Sequence, residues 1–113
     1  MNEKGKFCEE LVAQYLKNQG YEIIARNYRC RGGEIDIIAG KGEILRFVEV
    51  KSLTRAWASD QIERMVDQLK RRRIQLTAID YLAKVEDKRR QWILRFDVAS
   101  VTDGEVAYYE GVF

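Results

Sequence analysis

The sequence predicts an α/β fold, in which a mixed central β-sheet is flanked by helices in the order α-β-β-β-α-β-β. Three observations predict it: an apolar stripe at helical spacing near the amino terminus, β-rich segments separated by glycine turns, and a long helical segment between the third and fourth strands. The 113 residues fit one domain, 1–113, with one hydrophobic core.

The first helix and the strands follow from local patterns. Residues 3–19 carry apolar side chains at helical spacing, and Gly20 ends this helix. Five segments rich in β-branched and aromatic residues predict the strands, and turn residues containing glycine separate the paired ones. These strands are residues 21–30, 34–39, 43–53, 91–101 and 105–113.

The second predicted helix begins at Ser59 or Asp60 and runs to about Lys84. Its apolar stripe changes direction near Lys70, so one straight helix cannot bury both halves on one surface. Either the helix breaks there, or its first half contacts a second copy of the chain in a homodimer. The first stripe is Ile62, Met65, Val66 and Leu69, and the second is Ile74, Ala78, Tyr81, Leu82 and Val85.

Composition excludes several classes of function. The chain has no histidine, which excludes histidine triads, histidine zinc ligands and imidazole acid–base chemistry. Its two cysteines, Cys8 and Cys30, are too few for a disulfide framework or a four-cysteine metal site. No signal-peptide pattern or long apolar run is present, so we expect a cytoplasmic protein with no membrane partner.

Basic residues are concentrated although the net charge is only +2. Such clusters are typical of a phosphate-binding face and also of solvated helix surfaces, and the pattern alone leaves both interpretations open. The clusters are Arg26, Arg29 and Arg31, then Lys70, Arg71, Arg72 and Arg73, then Lys88, Arg89 and Arg90.

Acidic residues occupy the second and third predicted strands, where apolar residues are usual. Alternation places Glu34 and Asp36 on one face, with Ile35 and Ile37 on the other. On the next strand, alternation places Phe47, Glu49 and Lys51 on one face and Val48 and Val50 on the other. Two adjacent strands can therefore bring Asp36, Glu49 and Lys51 together.

Buried carboxylates require a neutralising cation, which Lys51 or a divalent metal can supply. Mg²⁺ binds one or two carboxylates, polarises a phosphodiester and activates water, and a lysine nearby stabilises the developing charge. The alternative is an ordinary cross-strand ion network, because a single D…ExK match is weakly specific.

The whole chain also resembles a known family. The pattern GEIDIIAG…LRFVEVKS resembles the PD-(D/E)xK nuclease superfamily, and the wider set of motifs resembles the YraN-like family of small bacterial proteins, which is similar in plan to archaeal Holliday-junction resolvases. Further motifs that carry this resemblance are Gly5-x-x-Cys8-Glu9, Tyr15-Leu16-x-x-x-Gly20-Tyr21, Arg26-Asn27-Tyr28-Arg29, Lys70-x-x-Arg73-Ile74 and Arg95-Phe96-Asp97-Val98.

The resemblance implies a restriction-endonuclease-like fold and a Mg²⁺- or Mn²⁺-dependent endonuclease acting on DNA, including branched or structured DNA. It implies that Asp36, Glu49 and the Val50 backbone carbonyl bind metal, and that Lys51 acts on the attacking water. Glu9 becomes the acid contributed by a helix, for a second metal or a metal-bound water. Its position at the border of the first apolar stripe agrees with that role, whereas a surface acid near the helix start is the alternative.

Nucleic-acid contacts are predicted outside this acid–lysine set. Lys70 and Arg73 are the expected phosphate anchors, while Arg26, Arg29 and Arg31 flank the turn that leads to Asp36. Glu34 is a weaker site candidate, and Trp57 can stack on a base or pack in a core. Two rival functions stay open: a module that binds nucleic acid without cutting it, and an assembly protein that docks a partner through a helix stripe.

Overall fold

A computed structural model describes residues 3–53, 68–85 and 91–113. Within these residues the order of elements is α-β-β-β-α-β-β, as predicted. The elements are α1 (Glu3–Asn18), β1 (Glu22–Cys30), β2 (Gly33–Lys41), β3 (Ile44–Ser52), α2 (Gln68–Val85), β4 (Ile93–Thr102) and β5 (Glu105–Tyr109).

The five strands form one mixed sheet in the spatial order β1-β2-β3-β4-β5. Neighbours are antiparallel except β3 and β4, which run parallel along their length. Parallel neighbours require a crossover between them, and α2 lies in the connection from β3 to β4. The predicted mixed sheet with flanking helices is therefore confirmed.

The two helices cover opposite faces of the sheet. Consecutive residues of β3 show this: Phe47 packs against α2, whereas Val48 packs against α1. The α1-side core is the buried cluster Cys8, Val12, Ala13, Leu16, Ile37, Ala39, Val48, Ala99 and Val101. The α2-side core is the buried cluster Ile35, Ile38, Leu45, Phe47, Ala78 and Tyr81.

Helix α1 ends where the sequence predicts. Gly20 adopts a φ of +92°, in the left-handed region that glycine enters readily, and the Tyr21 N–H donates to the Leu16 carbonyl. Tyr21 then leads directly into β1. This short connection holds the carboxyl end of α1 against the sheet and fixes which of its residues face inward.

Helix α2 buries the second predicted stripe. Ile74, Ala78 and Tyr81 are buried, and Leu82 packs against them. Several predictions concern residues outside the described ranges: the helix start at Ser59 or Asp60, the first-stripe residues Ile62, Met65 and Val66, Trp57, and the cluster Lys88–Arg90. In the described ranges, neither helix combines the length and hydropathy that a membrane span requires.

Candidate active site

At Asp36, the alternation of side chains along strand β2 is interrupted, so that residues on either side of it point to opposite faces of the sheet. Ile35 packs in the α2-side core, whereas Ile37 packs in the α1-side core. Residues two apart on a regular strand share a face, so the prediction that Ile35 and Ile37 point the same way is wrong. The cause is an irregularity at Asp36, where the ladder between β2 and β3 has ended after the pair Ile37 and Val48.

Strand β1 changes face at Asn27, at the same level of the sheet. Arg26 lies on the α1 side, where its Nη1 is 2.6 Å from the Glu10 carboxylate, while Tyr28 packs against the α2-side core. Asn27 has a φ of 53°, a left-handed conformation that asparagine tolerates better than most residues. The ladder pairs on either side place Asn27 opposite Asp36. We call this irregular level of the sheet the kink.

At the kink, the Asp36 carboxylate accepts a hydrogen bond from the main chain of β3, where a regular ladder would use a main-chain carbonyl of β2. Its Oδ2 accepts a hydrogen bond from the Val50 N–H at 2.8 Å. The N–H and C=O of one strand residue point to the same edge, so the Val50 carbonyl also points towards β2. Thus the main-chain oxygen that the sequence analysis expects as a ligand lies on the edge of β3 that Asp36 occupies.

Four acids surround the kink, and we call Glu9, Glu34, Asp36 and Glu49 the acid cluster. Burial raises the pKa of Asp36 from 3.8 to about 6, against the opposing effect of the Val50 hydrogen bond. The negative charges of Glu9, Glu49 and Glu34 raise this pKa further. Glu9 reaches the cluster from α1, and Glu49 reaches it from β3.

Glu9 is buried, with 7% of its surface exposed, whereas its neighbour Glu10 faces solvent. Burial raises the pKa of Glu9, and the charge of Glu34 raises it further. A hydrogen bond from the Asn27 side chain and the charge of Arg26 act in the opposite direction. The structure therefore directs Glu9 inward, as its border position in the helix stripe predicts.

Glu49 connects the acid cluster to two lysines. Its Oε1 lies 3.1 Å from Lys70 Nζ and 3.6 Å from Lys51 Nζ. Its Oε2 is buried and has no hydrogen-bond partner among the described residues. Lys70 was predicted only as a phosphate anchor, and its contact with Glu49 places it beside the acids. Sequence could not show this contact, because it joins a strand to a helix across the α2 face.

A basic cleft of about 560 Å³ adjoins the acid cluster. Its lining includes Glu34, which belongs to the acid cluster, and Arg29 Nε lies 3.3 Å from the Glu34 carboxylate. The predicted anchors Arg29, Arg31 and Arg73 come together here, but Arg26 is not part of the lining. The basic cleft is lined by Arg29, Cys30, Arg31, Gly32, Gly33, Glu34 and Arg73.

Glycine allows α2 to approach the turn that forms this cleft. A Cβ on Gly33 would lie 2.9 Å from Thr77 Oγ1 and 3.6 Å from the Arg73 carbonyl oxygen. Thr77 is fully buried and donates to that carbonyl at 2.8 Å. The absence of a side chain at Gly33 thus allows Arg73 of α2 to line the same cleft as Arg29 of β1 and Arg31 of the β1–β2 turn.

The acid cluster has oxygen atoms suited to a hard divalent cation. In the described ranges no three acidic or cysteine side chains converge as a complete metal-binding group. Mg²⁺ needs fewer protein ligands, since it commonly binds one or two carboxylates and keeps several waters. The raised pKa of Asp36 indicates a carboxylate that lacks sufficient positive charge, and Glu49 Oε2 is a buried oxygen that lacks a hydrogen-bond partner among the described residues. Both observations fit such a cation.

Sequence reasoning missed a second buried charge network on the other half of the sheet. Arg46 Nη1 donates to Asp97 Oδ2 at 3.0 Å, and Tyr108 donates to the same oxygen at 2.6 Å. The Gly111 N–H donates to Asp97 Oδ1 at 2.8 Å. The network satisfies both Asp97 oxygens and attaches the residues after β5 to the sheet. Its one sequence signal was an acid in the middle of an apolar strand.

The motif resemblance is supported by comparison with known proteins. A family profile described as "Uncharacterised protein family UPF0102", which is the YraN family, matches residues 8–101. A UPF0102 protein of Kosmotoga olearia is 43% identical over 111 residues, covering 96% of this chain and 91% of its own. A UPF0102 protein of Pseudothermotoga lettingae is 41% identical over 107 residues, covering 95% of each chain. These matches confirm the predicted family relationship.

Proposed function

The chain belongs to the UPF0102 family, and on that premise we propose that it is a Mg²⁺- or Mn²⁺-dependent endonuclease that hydrolyses phosphodiester bonds in branched or structured DNA. One observation carries the proposal. Burial and a cluster of carboxylates raise the pKa of the half-buried Asp36, and members of the same cluster contact two lysines, through Glu49, and an arginine-lined cleft, through Glu34. Metal-assisted phosphodiester hydrolysis needs a bound cation, a lysine near the reacting groups and a surface that binds phosphate.

Asp36 and Glu49 hold the cation in this proposal, with the Val50 carbonyl as a main-chain ligand and Glu9 as the acid contributed by α1. Once bound, Mg²⁺ supplies Lewis-acid polarisation of the scissile phosphate. Two described contacts support this ligand set. The Val50 N–H holds Asp36 from one side, and Lys70 holds Glu49 from the other.

Lys51 acts on the attacking water. Its side chain is 41% exposed, and its ammonium lies 3.6 Å from the Glu49 carboxylate. The ammonium is thus close to the acids yet reachable by solvent. It orients the water by donating a hydrogen bond and stabilises the negative charge that grows on the phosphoryl oxygens.

The basic cleft holds the DNA backbone. Arginine binds phosphate oxygens through two parallel N–H donors, and three arginines line this cleft. Glu34 belongs to both the cleft and the acid cluster, so a strand that follows the arginines arrives at Asp36. Arg26 lies apart from this path, because it pairs with Glu10 on the α1 side.

The test is cleavage of linear, flapped and four-way DNA with Mg²⁺, Mn²⁺ or EDTA. We expect cation-dependent cleavage by the wild type, and loss of cleavage with DNA affinity within a few-fold of wild type for Lys51→Ala. Asp36→Asn should also lose cleavage, through weaker cation binding. Lys84→Ala is the matched control, since Lys84 is 65% exposed on α2 and pairs with Asp80.

Two outcomes would contradict the proposal. Equal, cation-independent cleavage by the wild type and Lys51→Ala would assign the activity to a contaminant. Tight DNA binding with no cleavage of any substrate would instead support the rival function of a non-catalytic binding module. Acids beside the phosphate path argue against that rival, because they repel the backbone that a pure binder must hold.

A further inference from the structure

We propose that Asn27 is part of the cation site: its side-chain oxygen binds the divalent cation, while its amide N–H holds Glu9 in place. The inference rests on the proposed function, because it assigns one more residue to the same site. Asn27 belongs to β1, whereas the other proposed ligands belong to α1, β2 and β3. The cation would therefore join three neighbouring strands and one helix.

The position of Asn27 supports this role. The β1–β2 register places it opposite Asp36. The last pair of the β2–β3 ladder is Ile37 and Val48, and Asp36 and Glu49 are the next residues along their strands. Asn27 is thus the β1 neighbour of Asp36, and Glu49 is the β3 residue that follows the last ladder pair.

Two buried oxygens without hydrogen-bond partners support the role of Asn27 independently. Across residues 3–53, 68–85 and 91–113, the buried side-chain atoms without a hydrogen-bond partner are Asn27 Oδ1 and Glu49 Oε2. Buried polar atoms in folded proteins nearly always have a partner, so each exception requires an explanation. Here both exceptions are oxygens of residues close to Asp36, since Asn27 lies opposite it in the β1–β2 register and the charge of Glu49 acts on its carboxylate. One divalent cation satisfies both, since hard cations take carboxylate and amide oxygens alike.

The chemistry of the amide explains why asparagine suits this position. Its Nδ2 donates to the Glu9 carboxylate, which leaves Oδ1 as an acceptor for the cation. A carboxylate here would have no hydrogen to donate to Glu9 and would add charge to the acid cluster. The backbone adds a second requirement, because a φ of 53° disfavours most residues other than glycine, asparagine and aspartate.

The left-handed backbone also makes a clean test possible. Asn27→Gly removes the side chain and keeps the conformation accessible, so it separates the oxygen from the fold. Mn²⁺ binding to the metal-free protein is measured by isothermal titration calorimetry, alongside thermal unfolding in EDTA. We expect Asn27→Gly to bind Mn²⁺ 10- to 100-fold more weakly, with an unfolding temperature in EDTA close to wild type. Asn18→Gly, at the exposed end of α1, is the matched control and should bind as wild type does.

Two comparisons decide the inference. If Asn27→Gly binds Mn²⁺ as tightly as the wild type, the inference is overturned. It is also overturned if the variant only unfolds at a lower temperature and its Mn²⁺ affinity is unchanged. If Asn27→Gly does not fold, Asn27→Asp decides, because it keeps an oxygen and tolerates the same φ. Affinity equal to or tighter than wild type supports the oxygen ligand, and a tenfold loss overturns it. If the wild type cuts DNA and Asn27→Gly binds Mn²⁺ as tightly as the wild type does, the role of Asn27 is refuted and the proposed function stands. If the wild type binds no Mn²⁺, the role of Asn27 and the proposed function are both refuted.

Discussion

Replacing Asp36 with asparagine should stabilise the metal-free protein at neutral pH, although it removes a proposed metal ligand. The Asp36 carboxylate is half-buried beside Glu9, Glu34 and Glu49, and its one described hydrogen bond comes from the Val50 N–H. An amide oxygen can accept that same hydrogen bond. The substitution therefore keeps the contact with β3 and removes the charge that its neighbours repel.

The magnitude follows from the pKa of Asp36, which rises from 3.8 to about 6 on folding, first through burial and then through Glu9, Glu49 and Glu34. The folded protein binds this proton more tightly than the unfolded chain does. The free energy of unfolding must therefore fall as the pH rises from about 4 to about 6, and stay lower above that range. The change corresponds to about 3 kcal/mol as an upper limit, because the substituted amide is also desolvated.

Urea unfolding in EDTA at several pH values between 4 and 8 measures the effect. Asp36→Asn should unfold at higher urea than wild type at pH 8, and the two proteins should converge near pH 4. Adding Mg²⁺ at about 100 times its Kd at pH 8 should stabilise the wild type by about 2.7 kcal/mol and the variant by much less. Glu22→Gln, on the exposed side of β1, is the control and should change the free energy of unfolding by less than about 0.5 kcal/mol. A variant that is less stable than wild type at pH 8 would show that the Asp36 charge stabilises the fold, and would refute this account of the acid cluster.

Three further predictions concern other parts of the chain. Measured by fluorescence anisotropy, Arg31→Glu and Arg73→Glu should weaken DNA binding and reduce its dependence on salt concentration. The control Arg95→Glu should change neither quantity by more than about twofold. If Arg95→Glu weakens binding as much as the cleft variants do, the basic cleft is not the DNA path. Asp97→Asn should lower the free energy of unfolding by about 3 kcal/mol in urea, because it removes the buried anion that faces Arg46 and leaves the exposed Glu110 as the described carboxylate paired with that arginine. A loss below about 1 kcal/mol would contradict this. The change of apolar stripe leaves two alternatives, a broken helix in a monomer or a homodimer, and light scattering distinguishes them: a homodimer gives twice the chain mass and becomes a monomer in Val66→Glu, whereas a monomeric wild type refutes the dimer.

The regular parts of the fold were predictable because their residues obey local rules. On β3, alternation correctly assigned Phe47 to one face and Val48 to the other, because this strand pairs with regular neighbours along most of its length. Gly20 marked the end of α1 because its left-handed φ is one that glycine adopts at little cost. The order of the helices and strands followed from such periodicity and turn signals, taken one after another along the chain.

The kink was not predictable from periodicity. A period of two assumes an unbroken strand, and the changes of face at Asn27 and Asp36 break that assumption in two strands at once. One signal was present, since asparagine is depleted in strands and enriched in left-handed conformations. The contact of Lys70 with Glu49 had no local signal, because it depends on where α2 crosses the sheet.

The chain contains its own control for interpreting the acid cluster. Asp97 is a buried carboxylate in the same sheet, and both of its oxygens are satisfied, by Arg46, Tyr108 and the Gly111 N–H. Asp36, one residue beyond the last β2–β3 ladder pair, is half-buried and instead lies among carboxylates, one of which, Glu49, has a buried oxygen without a hydrogen-bond partner among the described residues. The same fold thus satisfies one carboxylate completely and leaves the other short of positive charge. Natural sequences depart from such local rules chiefly at functional sites. The kink holds Asp36, the two lysines contact Glu49, and the basic cleft contains Glu34, so each of these features meets the acid cluster at a different carboxylate.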